Sequence, residues 1–197
     1  MLPDRNTESI KSTQNNTKKR TTRYLEQDPQ KVKEYLEKIK YLPKEKIVYV
    51  DETGIDKFLY RKYARALRGE KVYERVRGNK FERTSIVAAQ MGSRIIAPLQ
   101  YKGMMHSQFF EEWFEKHLIR ELAKGTVIVM DNASFHRKKH LYELAKQYSV
   151  RIIFLPPYSP ELNPIENFWH WLKKKICDLI KFSQNLDEVI ISIFQVL

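Results

Sequence analysis

Three carboxylates, Asp51, Asp131 and Glu166, stand where the pattern of the chain predicts the ends of regular elements. Asp51 closes the apolar run Ile47-Val48-Tyr49-Val50, and Asp131 closes Thr126-Val127-Ile128-Val129-Met130. Glu166 falls just inside the helix that Asn163-Pro164 opens. Two strand ends and one helix start can deliver carboxylates to one edge of a sheet. Mg²⁺ takes hard oxygen ligands and binds through a few carboxylates plus water and substrate phosphate. Two such ions about 3.5–4 Å apart activate an attacking oxygen and stabilise the leaving one, which cleaves phosphodiester bonds without a covalent protein nucleophile. Unit charges about 4 Å apart repel by roughly 4 kcal/mol at an effective dielectric near 20, so a converged triad calls for cations.

Each acid also has a plainer reading. Aspartate is common where strands turn, which would make Asp51 and Asp131 ordinary turn residues. Glu166 at the third helical position, with Pro164 at the first, resembles a capping box bonding back to Asn163. What favours the site is the conjunction of all three acids at element ends in a basic chain.

The elements that must position them follow from periodicity. Asp28-Pro29 is an N-cap followed by proline, and Val32, Tyr35, Leu36 and Ile39 recur at helical spacing up to Pro43. The run 47–50 predicts a strand that stops at Asp51-Glu52-Thr53-Gly54. Residues 84–90 and 94–100 predict a hairpin turning at Met91-Gly92-Ser93. Ser107 caps a helix with an apolar stripe at Phe110, Trp113, Phe114, Leu118 and Leu122, punctuated by Gly125. The apolar run 126–130 suits a strand buried on both faces. A helix over 135–148 and a short strand over 151–154 follow. Ile165, Phe168, Trp169, Leu172, Ile176, Leu179 and Ile180 then mark one face of a long helix. The expected fold class is α/β, a mixed five-stranded sheet flanked by helices.

Composition bounds the partners. Of 197 residues, 36 are Lys or Arg against 24 Asp or Glu, a net charge of +12 with pI near 9.6, which favours a polyanion such as nucleic acid. The densest basic stretch, 57–80, carries nine Lys or Arg against two glutamates, with Tyr60, Tyr63 and Tyr73 interleaved. No run reaches the roughly 18 apolar residues of a spanning helix, and the polar start is not a signal peptide, so a membrane partner is not expected. The single cysteine, Cys177, has no partner in the chain and reads as a passive helix residue. Residues 1–45 read as a basic tail plus one short helix, and 46–197 as one globular domain.

At Asp131-Asn132-Ala133-Ser134-Phe135-His136 and at Leu155-Pro156-Pro157-Tyr158-Ser159-Pro160-Glu161-Leu162-Asn163-Pro164-Ile165-Glu166 the chain resembles the mariner-type transposases, in their bacterial insertion-sequence branch. Val50-Asp51-Glu52 matches the family's first aspartate, and the 34 residues between Asp131 and Glu166 are the spacing of that branch. The resemblance runs from about Ile47 to Lys181. It implies an RNase H-like fold for a DDE catalytic domain over 46–197, two Mg²⁺ or Mn²⁺ ions held by Asp51, Asp131 and Glu166, and Asp51 bridging both. It further implies water-driven cleavage at transposon ends, attack of the freed 3′-hydroxyl on target DNA at a TA-type site, and a homodimer in the active complex. A prokaryotic cytoplasm, at the nucleoid, is the implied location.

Around the triad, Glu52, Asn132, His136 and Asn163 are candidate supports, with Asp56 a nearby decoy. His136 and His140 have the i, i+4 spacing of a metal pair, yet without an evident acidic partner they read as surface histidines. The stretch 57–80 falls where the family carries a DNA- or subunit-contacting loop, which makes Arg61, Lys62, Arg65, Arg68, Arg75, Arg77 and Lys80 candidate DNA ligands. The roughly 45 residues before Ile47 are too short and polar for the paired helix-turn-helix modules of the family. Either a separate helix-turn-helix polypeptide that recognises the transposon ends or a truncated gene is therefore expected. An RNase H-like structure-selective nuclease and an inactive DNA-binding remnant are the alternatives; strand transfer and metal-dependent nicking separate them.

Overall fold

The computed structural model describes residues 24–56, 71, 73, 83–180, 182, 183 and 185–197. Asp28 opens α1 (Pro29–Lys40) as expected, its side chain accepting from the amides of Gln30 and Lys31. Then come β1 (Ile47–Asp56), β2 (Arg83–Met91), β3 (Arg94–Lys102) and α2 (Ser107–Trp113). They are followed by β4 (Val127–Met130), α3 (Lys138–Gln147), β5 (Arg151–Phe154), α4 (Ile165–Leu179) and α5 (Leu186–Gln195). The five strands form one sheet in the order β3-β2-β1-β4-β5. β1–β2 and β2–β3 pair antiparallel, β1–β4 and β4–β5 parallel. This is the expected mixed sheet.

β1 departs from expectation by running through Asp51 to Asp56. The cause is its antiparallel partner: β2 pairs with it from Val48↔Met91 to Asp56↔Arg83, so the ladder overrides the turn-like Thr53-Gly54. On its other side the parallel pairing with β4 stops at Tyr49↔Val129. Beyond that point β1 continues with one edge open.

Alternation then sorts the sheet's two faces. Val48, Val50, Ile128 and Met130 pack with Phe110, Trp113, Phe114 and Leu141 from α2, the turn after it and α3. The opposite face is shared. At one end α1 lays Tyr35 over Ile47, Val129 and Leu155. At the other, α4 and α5 lay Ile165, Trp169, Leu172, Ile190 and Ile193 over Ile55, Ile86 and Ala88. The strip of β1 between these two covers carries Asp51.

Three local departures have physical causes. α2, capped by His106 and not by Ser107, loosens into a π turn (Phe114–Leu118) and a 3₁₀ turn (Ile119–Glu121), which together bury Phe114, Leu118 and Ile119. In β3 a bulge at the level of Val87 and Ala89 accommodates Pro98 on an edge strand, where a missing amide is tolerated, and Trp113 Nε1 donates to the freed Ala97 carbonyl at 2.8 Å. α5 lies in what reads along the sequence as an apolar finish. Asn185 caps it, accepting from the amides of Asp187 and Glu188, and Leu186, Val189, Ile190 and Ile193 are its buried face.

Candidate active site

The offset between β1 and β4 is constant, 47 with 127 and 49 with 129, and the same offset of 80 sets Asp51 level with Asp131 just past the last paired residues. Neighbouring strands run about 4.8 Å apart. β4 ends at Met130, so Asp131 leaves the sheet where β1 goes on, and the gap between them is a cleft of about 460 Å³. Asp51, Asp131 and Glu166 all line it, with Asn132, Asn163 and the loop 155–160. The three acids anticipated from the chain therefore meet in one cleft.

Asp51 is the most enclosed of the three. Its Oδ2 accepts from Trp169 Nε1 at 3.0 Å. Burial first, then the charges of Glu166 and Asp131, push its carboxyl up to about 7, against the pull of the Trp169 and Glu52 N–H groups. Asp131 goes the other way. Burial opposes its charge, but His136, bonded at 3.1 Å, and the Ala133 amide, at 3.1 Å, hold it below the usual carboxylate range. Glu166 lies at the exposed start of α4; partial burial and the Asp131 charge raise it, and Lys173 opposes. One cleft thus holds carboxyls with opposite proton affinities.

The supporting residues sort by strand parity. Glu52, one step from Asp51, faces the opposite side of the sheet, where Tyr101 Oη donates to its Oε2 at 2.8 Å and burial raises its proton affinity. Asp56 is exposed at the strand's end. Asn132 donates to the Leu155 carbonyl and accepts from Lys138, so it ties the exit of β4 to the exit of β5. Asn163 is buried, and its Nδ2 lies 3.5 Å from the Val50 carbonyl. The plainer reading of Glu166 as part of a capping box fails: no side chain caps α4, and Glu166's amide instead bonds the Asn163 carbonyl at 3.1 Å. Asn163 anchors the helix start to β1 rather than capping it.

The histidines also differ from expectation. His136 precedes α3, because the turn that bonds its amide to Ala133 carries it inward; its side chain is 3% exposed and sits edge-on to Phe110 and Phe135. It is no surface histidine. His140 is half-exposed and lies 3.6 Å from Glu111 and 3.9 Å from Glu143. Each ring answers to its own carboxylates, so they form no pair. Arg61, Lys62, Arg65, Arg68, Arg75, Arg77 and Lys80 lie outside the described residues.

Trp169 is the residue that pattern reading misplaced, as core alone. The signal was available: it stands one helical turn after Glu166 and so faces the same way, and a buried indole N–H requires an acceptor. As they stand, the acids line the cleft without closing on a point; among the described residues no three His, Cys, Asp or Glu are poised to hold one ion. An all-oxygen donor set that leaves most positions to water and phosphate suits Mg²⁺. Burial and the like charges of Glu166 and Asp131 raise the proton affinity of Asp51, and a cation bound beside it would lower it.

Comparison with known proteins bears on the fold and the family. The Transposable element Tc1 transposase of Caenorhabditis elegans is 26% identical over 96 residues, 49% of this chain and 33% of that protein. An uncharacterized protein of Sinorhizobium fredii, y4pE/y4sA, is 38% identical over 55 residues, 25% of this chain and 38% of that one. The chain thus spans about a third of the length of either relative. Among solved structures, the Mos1 strand transfer complex superposes with a TM-score of 0.60 at 17% identity, covering 88% of this chain and 62% of that one. The mariner Mos1 paired end complex with Mg gives 0.60 at 17%, covering 79% and 53%. At such identity the likeness shows the fold, which is RNase H-like. The profile of the DDE superfamily endonucleases matches residues 46–190, about three quarters of the chain, and the chain belongs to that family.

Proposed function

We propose that this chain is the catalytic part of a DNA transposase, residues 46–197 forming the DDE unit and 1–45 preceding it. It would cut phosphodiester bonds at transposon ends and join the resulting 3′-hydroxyl to target DNA at a TA-type site. The observation that carries this is the meeting of Asp51, Asp131 and Glu166 in one cleft, the two aspartates level with each other across the open edge of β1 and Glu166 brought in by the start of α4. The family supplies the chemistry, and solved Mos1 complexes hold Mn or Mg.

In this reading Asp51, Asp131 and Glu166 would hold two Mg²⁺ or Mn²⁺ ions, whose chemistry would be to polarise the scissile phosphate and lower the proton affinity of the attacking oxygen. The chain's own residues do the rest. Trp169 fixes Asp51 by its N–H, and His136 and the Ala133 amide keep Asp131 ionised. Asn132 holds the two strand exits together, and Asn163 aims the start of α4. Attack by water breaks the P–O3′ bond and leaves a 3′-hydroxyl and a 5′-phosphate. The 3′-hydroxyl then attacks a target phosphodiester, losing its proton and releasing a second 3′-hydroxyl. Arg61, Lys62, Arg65, Arg68, Arg75, Arg77 and Lys80 would contact DNA backbone, a homodimer would bring two ends together, and a prokaryotic cell is the proposed setting.

The test is cleavage of an element-end duplex and its joining to a plasmid, with Mg²⁺ or Mn²⁺, comparing the native chain with Asp131→Asn. Metal-dependent products from the native chain alone are expected. Equal activity in both chains would sink the site.

A further inference from the structure

The cleft has an aromatic lip that the carboxylate chemistry does not use. Tyr158 lies on its wall, 55% exposed, at φ +56°, one of three non-glycine residues described in the left-handed region. A bulky residue is held there only when its surroundings over-determine the backbone. They do so here. Pro156 and Pro157 precede Tyr158 in the chain and Pro160 follows two residues on, which restricts the backbone on both sides. The buried Ser159 Oγ donates to the Pro157 carbonyl at 3.2 Å. From the far end of the chain, Gln27 Nε2 reaches the Tyr158 carbonyl at 3.2 Å, Ser159 Oγ at 2.9 Å and Glu161. The same N-terminal segment brings Tyr24, itself 54% exposed, to 6.1 Å from Tyr158, ring planes tilted by 43°. Tyr158 on its braced loop thus lines the cleft that holds the three acids, and Tyr24 of the N-terminal segment stands beside it.

We propose that Tyr158, with Tyr24 beside it, is a stacking site for an unpaired nucleobase next to the phosphate at the carboxylates. The inference rests on DNA being the substrate. A ring offers a face to any base, and stacking of this kind tolerates sequence. The occupant is a base and not an apolar side chain, because the lip is continuous with the cleft lined by Asp51, Asp131 and Glu166, where the phosphate joined to that base would sit. The strained loop holds the ring in place before DNA arrives, so little ordering remains for binding to bring about. The site favours frayed or nicked ends over intact duplex.

The test uses a short duplex with a single-stranded overhang ending in 2-aminopurine, and the same duplex blunt-ended, each titrated with the full chain without added Mg²⁺. Binding of the overhang is expected to change the 2-aminopurine emission and to be tighter than binding of the blunt duplex. Tyr158→Asn removes the ring yet tolerates the left-handed backbone. It should lower overhang affinity by about 5- to 100-fold with blunt-end affinity unchanged. Tyr158→Phe should behave as the native chain, and Gln27→Ala should give an intermediate loss. A Tyr158→Asn chain that keeps the native preference and emission change overturns the lip, as does a native chain with no preference for the overhang. Plasmid nicking in Mg²⁺ is scored separately: if it fails while the emission response stands, the transposase reading falls and the base site survives.

Discussion

The charge stranded on Asp51 makes a measurable prediction that does not depend on turnover. Burial and the neighbouring acids push its carboxyl up to about 7, whereas in the unfolded chain it titrates near its ordinary 3.8. The folded state therefore holds this proton more tightly, and stability must fall as pH rises between those values. The penalty is absent below the unfolded value and complete above the folded one. At about 1.36 kcal/mol per pKa unit it amounts to roughly 4 kcal/mol at pH 8. In a chain of this size each kcal/mol moves Tm by about 2–4 °C.

The perturbation is Asp51→Asn, which keeps an oxygen for Trp169 and removes the charge. In EDTA at pH 8 the variant should be more stable than the native chain by up to roughly 4 kcal/mol, or about 8–16 °C. The advantage should shrink on acidification and vanish near pH 4. Taking the difference between two chains cancels the other titrating groups. Saturating Mn²⁺ at pH 8 should then raise the native Tm and leave the variant nearly unmoved; ligand at about 100 times its Kd contributes about 2.7 kcal/mol. Urea or thermal unfolding, followed by circular dichroism over pH 4–8 with and without Mn²⁺, reads all of this. A variant that is equally stable or less stable at every pH would refute the claim that Asp51 carries uncompensated charge. A native Tm indifferent to Mn²⁺ would refute the claim that a cation relieves it.

Three further perturbations test the surroundings. Trp169→Phe removes the N–H that Asp51 accepts; a hydrogen bond to a charged group is worth about 1.5–3 kcal/mol, so urea unfolding should show that loss at pH 8 and much less at pH 4, where Asp51 is neutral. Ile190→Ala should cost about 2–5 kcal/mol in the same assay, because α5 is core against Ile55 and Ile86 and not an appendage. Asp187 is bonded by Thr84, Gln100 and Lys102, which outweigh burial and hold it below the usual carboxylate range. Its contribution is present above the unfolded value and lost as pH falls through the folded one, so Asp187→Ala should lower Tm at pH 7 and hardly at pH 2.

How much of this was legible in the sequence depends on the range of the cause. Caps and periodicities are local, so Asp28 at α1, the hairpin at Gly92-Ser93 and the stripe of α4 could be read directly. Asp131 and Glu166 were legible because element ends are local too, and so is the spacing between them; Asp51 stands mid-strand instead, and reaches the cleft because the pairing of β1 with β4 stops at Tyr49. The length of β1 was not, since what continues it past Thr53-Gly54 is a ladder with residues 83–87. Nor was the inward turn of His136, which depends on Phe110 from another helix. Asn185 and Glu188 did carry a capping pattern for α5, with Asn185 Nδ2 donating to Glu188 at 3.0 Å, but an apolar run following a helix hid it.

The site itself is a consequence of unequal strand lengths. β1 has ten residues and β4 four, so a shared start leaves β1 alone beyond Tyr49, with its edge open on the side where Asp131 departs. Parity then decides which acid enters. Ile47, Tyr49, Asp51 and Ile55 share the face that α1 and α4 cover from either end, whereas Val48, Val50 and Glu52 share the face of α2 and α3. Sliding β1 by one residue against its neighbours would exchange Asp51 for Glu52 and would also expose the core of both faces. The apolar residues that fix the register are therefore the same residues that fix which carboxylate meets Asp131. Glu166 enters by a third route, since Ile165 and Trp169 seat α4 on Ile55 and Ala88 and the helix must then present its first turn to the cleft. An acid in that first turn is also favoured by the helix's own field.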